Sequence, residues 1–130
     1  MKVIFLDGPS NSGKTTTLKL LYSQLKSAGS CDILPTRSCP LSSNDNEYYV
    51  SYEDKRVGIV TMGDFALETI LYMGIFLERG ADVLVIANSN KGFPYNVVNW
   101  HKRDLERVVI KKLRGANDDL QKVQVIISNL

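Results

Sequence analysis

The apolar run VIFLD, residues 3–7, leads straight into GPSNSGKT, residues 8–15. Gly8, four further residues, then Gly13-Lys14-Thr15 make a pattern that works only where a buried strand turns sharply into a helix. Both flanks are present. Lys2 to Leu6 reads as a fully buried strand. Lys14 to Ala28 reads as a helix, with Leu18, Leu21 and Leu25 at spacings of three and four and Gly29 at its stop.

The rest of the chain extends that reading. Ser30 to Glu47 shows no periodicity and predicts a long loop. Tyr48–Tyr52 and Val57–Met62 read as strands around Glu53-Asp54-Lys55-Arg56, too short a link for a parallel crossover, so they predict an antiparallel hairpin. Asp64–Arg79 predicts an apolar helix ended by Gly80, and Ala81–Asn88 a buried strand. Asn96–Arg114 predicts an amphipathic helix with Val97, Leu105, Val108, Val109 and Leu113 on one face; Lys122–Ser128 predicts a last strand. The expected fold is α/β: a three-layer sandwich with a mostly parallel sheet of about five strands and one antiparallel edge hairpin, all within a single domain over residues 1–130.

Composition narrows the partners. The chain is 44% apolar and 23% charged, with a formal charge of +2, which is too little to point to nucleic acid or an anionic membrane. The longest uncharged apolar stretch, Thr69–Leu77, cannot span a bilayer, and after Met1-Lys2 the apolar run is too short for a signal peptide. Cys31 and Cys39 read as free thiols of a reducing compartment, so a cytoplasmic location is expected.

The opening loop carries the chemistry. Small residues let backbone N–H groups face inward, and the helix N-terminus adds the positive end of its dipole, which together suit an anion such as phosphate. Lys14 is placed to reach the β- and γ-phosphates of a nucleotide and the Thr15 hydroxyl to ligate Mg²⁺. From Val3 to about Leu25 the chain resembles the P-loop NTPase superfamily through this Walker A sequence. The resemblance implies nucleotide binding by Gly8, Asn11, Ser12, Gly13, Lys14, Thr15 and Thr16. In that family a second acid follows an apolar strand, as Asp64 does in VGIVTMGD; Asp64 is the expected partner of Thr15 on the metal, with a simple helix N-cap as the alternative. Asp7 and Glu68 are weaker candidates, whereas Glu53, Asp54 and Asp82 fall at the far side of the sheet.

Two further segments are expected to contribute. An antiparallel hairpin returns the end of the long loop to the phosphate side, where Thr36, Arg37 and Ser42 or Ser43 offer a hydroxyl or a cation. The segment Trp100–Arg114 holds Lys102, Arg103, Arg107, Lys111, Lys112 and Arg114 against Asp104 and Glu106. Nucleoside and nucleotide kinases place a basic lid comparably, which makes Arg103 and Arg107 candidates and Arg107 the expected catalytic cation; a solvated helix face is the alternative. Phe93, Pro94, Tyr95 and Trp100 are read either as a pocket wall or as ordinary packing, and His101 as a surface residue. GTP-specific relatives read guanine with Asn-Lys-x-Asp; here Asn90-Lys91-Gly92-Phe93 lacks the aspartate, so ATP is expected. The chain is therefore read as an ATP- and Mg²⁺-binding protein with kinase-like organisation, carrying out phosphoryl transfer to a small-molecule acceptor or hydrolysis. The alternatives are a nucleotide switch acting through a protein partner and a nucleotide-binding protein without turnover.

Overall fold

The computed structural model describes residues 1–130 apart from Asn90, Lys91, Arg114 and Ala116. In chain order the elements are β1 (Lys2–Asp7), α1 (Lys14–Ser27), β2 (Cys31–Cys39), β3 (Ser42–Tyr52), β4 (Lys55–Val60), α2 (Ala66–Glu78), β5 (Val83–Asn88), α3 (Phe93–Trp100), β6 (Glu106–Lys111) and α4 (Asp119–Asn129). The strands form one six-stranded mixed sheet in the order β2-β3-β4-β5-β1-β6. β4, β5, β1 and β6 run parallel, while β3 is antiparallel to both β2 and β4.

Strand alternation divides the interior in two. Ile4 and Leu6 of β1 and Val83, Val85 and Ala87 of β5 face Leu18, Leu21 and Leu25 of α1 and Val123 and Ile126 of α4. Val3, Phe5, Leu84 and Ile86 turn the other way, onto Tyr72, Met73 and Phe76 of α2 and Val98 of α3. The central strands are apolar at nearly every position because both their faces are covered. The turn between β3 and β4 is only Glu53-Asp54, both left-handed at φ 47° and 64°, the two-residue geometry that matches strand twist.

Three expectations are corrected. Residues 30–47 are not a loop but hold β2 and the start of β3, joined through Pro40-Leu41, and they add a strand to the expected five. β2 is an exposed edge strand with irregular register and a proline, so it needs no apolar alternation and gives none. The predicted helix over 96–114 ends at Trp100, and Glu106–Lys111 is β6. Its Val108-Val109-Ile110 run favours a strand and pairs alongside β1. The predicted strand over 122–128 is α4, with Val123, Ile126 and Leu130 buried at helical spacing against α1. Cys31 and Cys39 are free thiols at opposite ends of β2, roughly 26 Å apart at strand rise, far beyond disulfide reach. Among the described residues, no helix is long and apolar enough to cross a membrane.

Candidate phosphate and metal site

The four parallel strands end at one edge of the sheet, and the loop from residue 8 to residue 13 rises from β1 at that edge to start α1. Its tightness is set by close approach. A Cβ on Gly8 would lie 2.4 Å from the Lys112 carbonyl oxygen and 2.8 Å from Ser12 Oγ, so only glycine fits. Asn11 and Gly13 are both left-handed, at φ 61° and 88°. Gly13 precedes the helix without a side-chain cap, which leaves the N-terminal end of α1 facing into the loop.

Lys14 is almost fully buried. Its ammonium donates to the carbonyl oxygens of Gly8 and Pro9 at 2.8 and 2.7 Å and to Ser12 Oγ at 3.3 Å. The cation is thus stored inside the loop, satisfied by groups that a bound anion can replace. Thr16 is exposed on the first turn of α1, and Ser12 is buried beneath the loop.

Thr15 faces the antiparallel side of the sheet. Its hydroxyl donates to Asp45 Oδ1 at 3.0 Å and lies 3.4 Å from the Thr61 carbonyl oxygen. Thr61 Oγ1 donates to the same Asp45 oxygen at 2.7 Å and accepts from the Asn46 amide at 3.0 Å. Asp45 is 8% exposed, and among the described residues no other acid is as buried. The antiparallel sense of β3 explains its position: β3 begins where β4 ends, so Asp45 meets Thr61 and, above it, the start of α1. Ser10, Asn11, Gly13, Lys14, Thr15, Asp45, Thr61, Gly63 and Asp64 line one cavity of about 230 Å³.

Asp64 shares that cavity but is exposed, and its Oδ1 accepts from Ser89 Oγ at 3.2 Å. It follows β4, which is separated from β1 by β5, and so lies about 10 Å across the sheet at ordinary strand spacing. The strand beside β1 ends instead in Asn88, opposite Asp7. Gly63 fixes where Asp64 emerges: a Cβ there would sit 2.1 Å from the Ala87 carbonyl oxygen. Gly63→Ala is expected to cost about 2 kcal/mol through overpacking against backbone that cannot yield; urea unfolding would detect this as a lowered midpoint.

Arg103, Arg107 and Arg37 do not converge on the loop. Arg107 is on β6 opposite Val3, four residues or about 13 Å before the Lys111 position opposite Asp7, and its guanidinium stacks 5.2 Å from the Tyr95 ring. Arg103 lines a cavity with Met1, Lys2 and Asp82 at the opposite edge of the sheet. The shared helix face that joined Arg103 to Arg107 is therefore absent, because the helix ends at Trp100. Arg37 pairs with Glu47 at 3.7 Å on the exposed hairpin. Asn90, Lys91 and Arg114 lie outside the described residues. Asp7 is ion-paired to Lys111 at 2.8 Å and borders a second cavity with Pro9, Tyr95 and Leu113, where burial pushes the Tyr95 phenol up to about 12.

Lys112 supplies the support that the sequence did not reveal. Its side chain is fully buried under the loop, with Nζ 2.7 Å from Asp118 Oδ1 and 2.8 Å from Asp119 Oδ1. Asp119 also accepts from Thr17 Oγ1 at 2.7 Å, which ties α4 to α1. The Lys112 amide donates to the Asp7 carbonyl at 2.7 Å, so the segment after β6 braces the loop from below. Asp45 and Lys112 both depend on tertiary pairing between distant strands, and no local spacing marks either. Compared with known protein families, curated proteins and solved structures, the chain matches none.

Proposed function

We propose that the chain binds Mg-ATP at the loop of residues 8–16 and carries out phosphoryl transfer or hydrolysis there. The observation that carries this reading is the convergence of Lys14, Thr15 and Asp45 on one cavity at the edge where the parallel strands end. Ligands of α/β sheets characteristically bind beyond the carboxyl ends of such strands.

Each residue has a defined part. Gly8, Asn11, Ser12 and Gly13 shape the loop around the phosphates, and Thr16 extends it on the first turn of α1. Lys14 exchanges the Gly8 and Pro9 carbonyl oxygens for phosphate oxygens. Thr15 and Asp45 present hard oxygen donors, the type Mg²⁺ prefers, and Mg²⁺ usually takes one or two carboxylates plus phosphate oxygens. When bound, that cation supplies charge neutralisation on the transferring phosphoryl group. Asp64, on the rim of the same cavity, is placed to orient a water or an acceptor hydroxyl.

A second reading, a nucleotide switch that acts through a protein partner, is favoured by the Thr15–Asp45 hydrogen bond, which links the site to the β2–β3 hairpin. Phosphate release from Mg-ATP tests the primary proposal. Turnover that needs both Mg²⁺ and Lys14, and falls in Asp64→Ala while binding persists, is the expected result. Undiminished turnover in Asp64→Ala would remove that residue's role, and tight binding without turnover or transfer would select the switch.

A further inference from the structure

We infer that Asp45, rather than Asp64, is the protein carboxylate of the divalent-cation site, acting together with the Thr15 hydroxyl. The inference rests on the reading of the loop as a triphosphate site and adds to it a specific acid from an antiparallel strand.

Four observations carry it. The first is geometric. Two oxygens in adjacent octahedral positions, each 2.0–2.1 Å from Mg²⁺, lie about 2.9 Å apart. Thr15 Oγ1 and Asp45 Oδ1 are separated by 3.0 Å, so both oxygens can serve one cation with almost no movement of the backbone. With a cation at this point, the Thr15 hydroxyl would give up its hydrogen bond to Asp45, and both oxygens would hold the cation instead.

The second observation concerns the unused oxygen. Thr15 and Thr61 both donate to Asp45 Oδ1, and among the described residues Oδ2 takes no hydrogen bond and no ion pair. Asp45 is 8% exposed and lines the cavity beside Thr15, so Oδ2 is free to meet a cation there or one of its water ligands.

The third is positional. Asp45 is held from behind: the Thr61 hydroxyl fixes Oδ1, the Asn46 amide fixes the Thr61 hydroxyl, and Lys19 of α1 donates to the neighbouring Asn44 carbonyl at 2.7 Å. Such outer contacts orient a ligand before the metal arrives. The fourth is the contrast with Asp64, which is solvent-exposed, makes no hydrogen bond to Thr15 and accepts instead from Ser89.

The test compares Asp45→Asn with Asp64→Asn, using the non-hydrolysable triphosphate AMP-PNP titrated in Mg²⁺ and, separately, in EDTA. Asparagine keeps an oxygen for the two threonine hydroxyls and removes only the charge. The readout is the ratio of the two affinities, which isolates the metal from the loop. Asp45→Asn is expected to lower that ratio at least about tenfold, the usual scale for disturbing a metal site. Its affinity in EDTA should stay unchanged or rise, because a negative charge near the phosphates has gone. Asp64→Asn should leave the ratio within about twofold of the parent. A parent-like ratio in Asp45→Asn, or an equal loss in Asp64→Asn, overturns the assignment. Failure of the parent chain to bind AMP-PNP in either buffer overturns the loop reading itself, and the assignment with it.

Discussion

Lys14→Met is expected to weaken ATP binding by about 100-fold while the protein stays folded. The ammonium can give a phosphate two charge-assisted hydrogen bonds, each contributing about 1.5–3 kcal/mol. The lower end applies, because Lys14 must first give up the Gly8 and Pro9 carbonyl oxygens that it now holds at 2.8 and 2.7 Å. Two such bonds give roughly 3 kcal/mol, or about two decades of affinity. Calorimetric titration of parent and variant measures the loss directly, and far-ultraviolet circular dichroism confirms that the fold is kept. Binding reduced by less than about threefold would mean that the stored ammonium does not move to the ligand.

The second large effect is on stability. Lys112→Met is expected to destabilise the fold clearly at pH 7, lowering the unfolding midpoint, since it leaves Asp118 and Asp119 without the ammonium that they share. Burial works against the Lys112 charge, but its hydrogen bonds to Asp118 and Asp119 outweigh that and hold the ammonium above its ordinary range. Hydrogen bonding from Lys112 holds both carboxyls below theirs, and for Asp119 the Thr17 hydroxyl adds to the effect. Because the two aspartates titrate lower in the folded chain than in the unfolded one, their contribution is complete above about pH 4 and is lost as the pH falls through their folded values. Denaturant unfolding of parent and variant at pH 7, 5 and 3 should therefore show a gap that is constant between pH 7 and 5 and narrows at pH 3. A gap that persists undiminished at pH 3 would show that Lys112 acts by packing rather than by charge.

The parts of this molecule that could be read from sequence are those whose signal is local. The segment from residue 2 to residue 27 specifies β1, the loop and α1 locally, because the buried strand, the glycines and the leucine stripe of α1 all agree. β5 is equally plain, since ADVLVIAN is apolar on both faces. The misread elements are those whose character depends on neighbours. ERVVIK becomes a strand by pairing alongside β1, although its spacing also suits a helix face. LQKVQVII becomes a helix because Val123 and Ile126 pack on α1, although its β-branched residues suggest a strand. β2 is polar and exposed along most of its length and has no pattern to show.

The site divides in the same way. Lys14 and Thr15 are fixed by spacing within the loop, whereas Asp45 reaches Thr15 across 30 residues, through a hairpin whose first strand was invisible in the pattern. The acid that sequence reasoning selected, Asp64, reaches the cavity rim; the strand bearing it is not the neighbour of β1, a matter of strand order that no local spacing encodes. Lys112 reads as one cation in a basic stretch and is instead buried beneath the loop, because aspartates six and seven residues on fold back over it.

The most direct test of the central claim is calorimetric titration of the full chain with Mg-ATP, with Mg-GTP and Lys14→Met as controls. Saturable one-to-one binding of Mg-ATP in the micromolar range, lost in Lys14→Met and weaker for Mg-GTP, is the predicted result. Absence of heat and of competition for either nucleotide at millimolar concentration would contradict it, and would mean that the loop between β1 and α1 is not a triphosphate site in this chain.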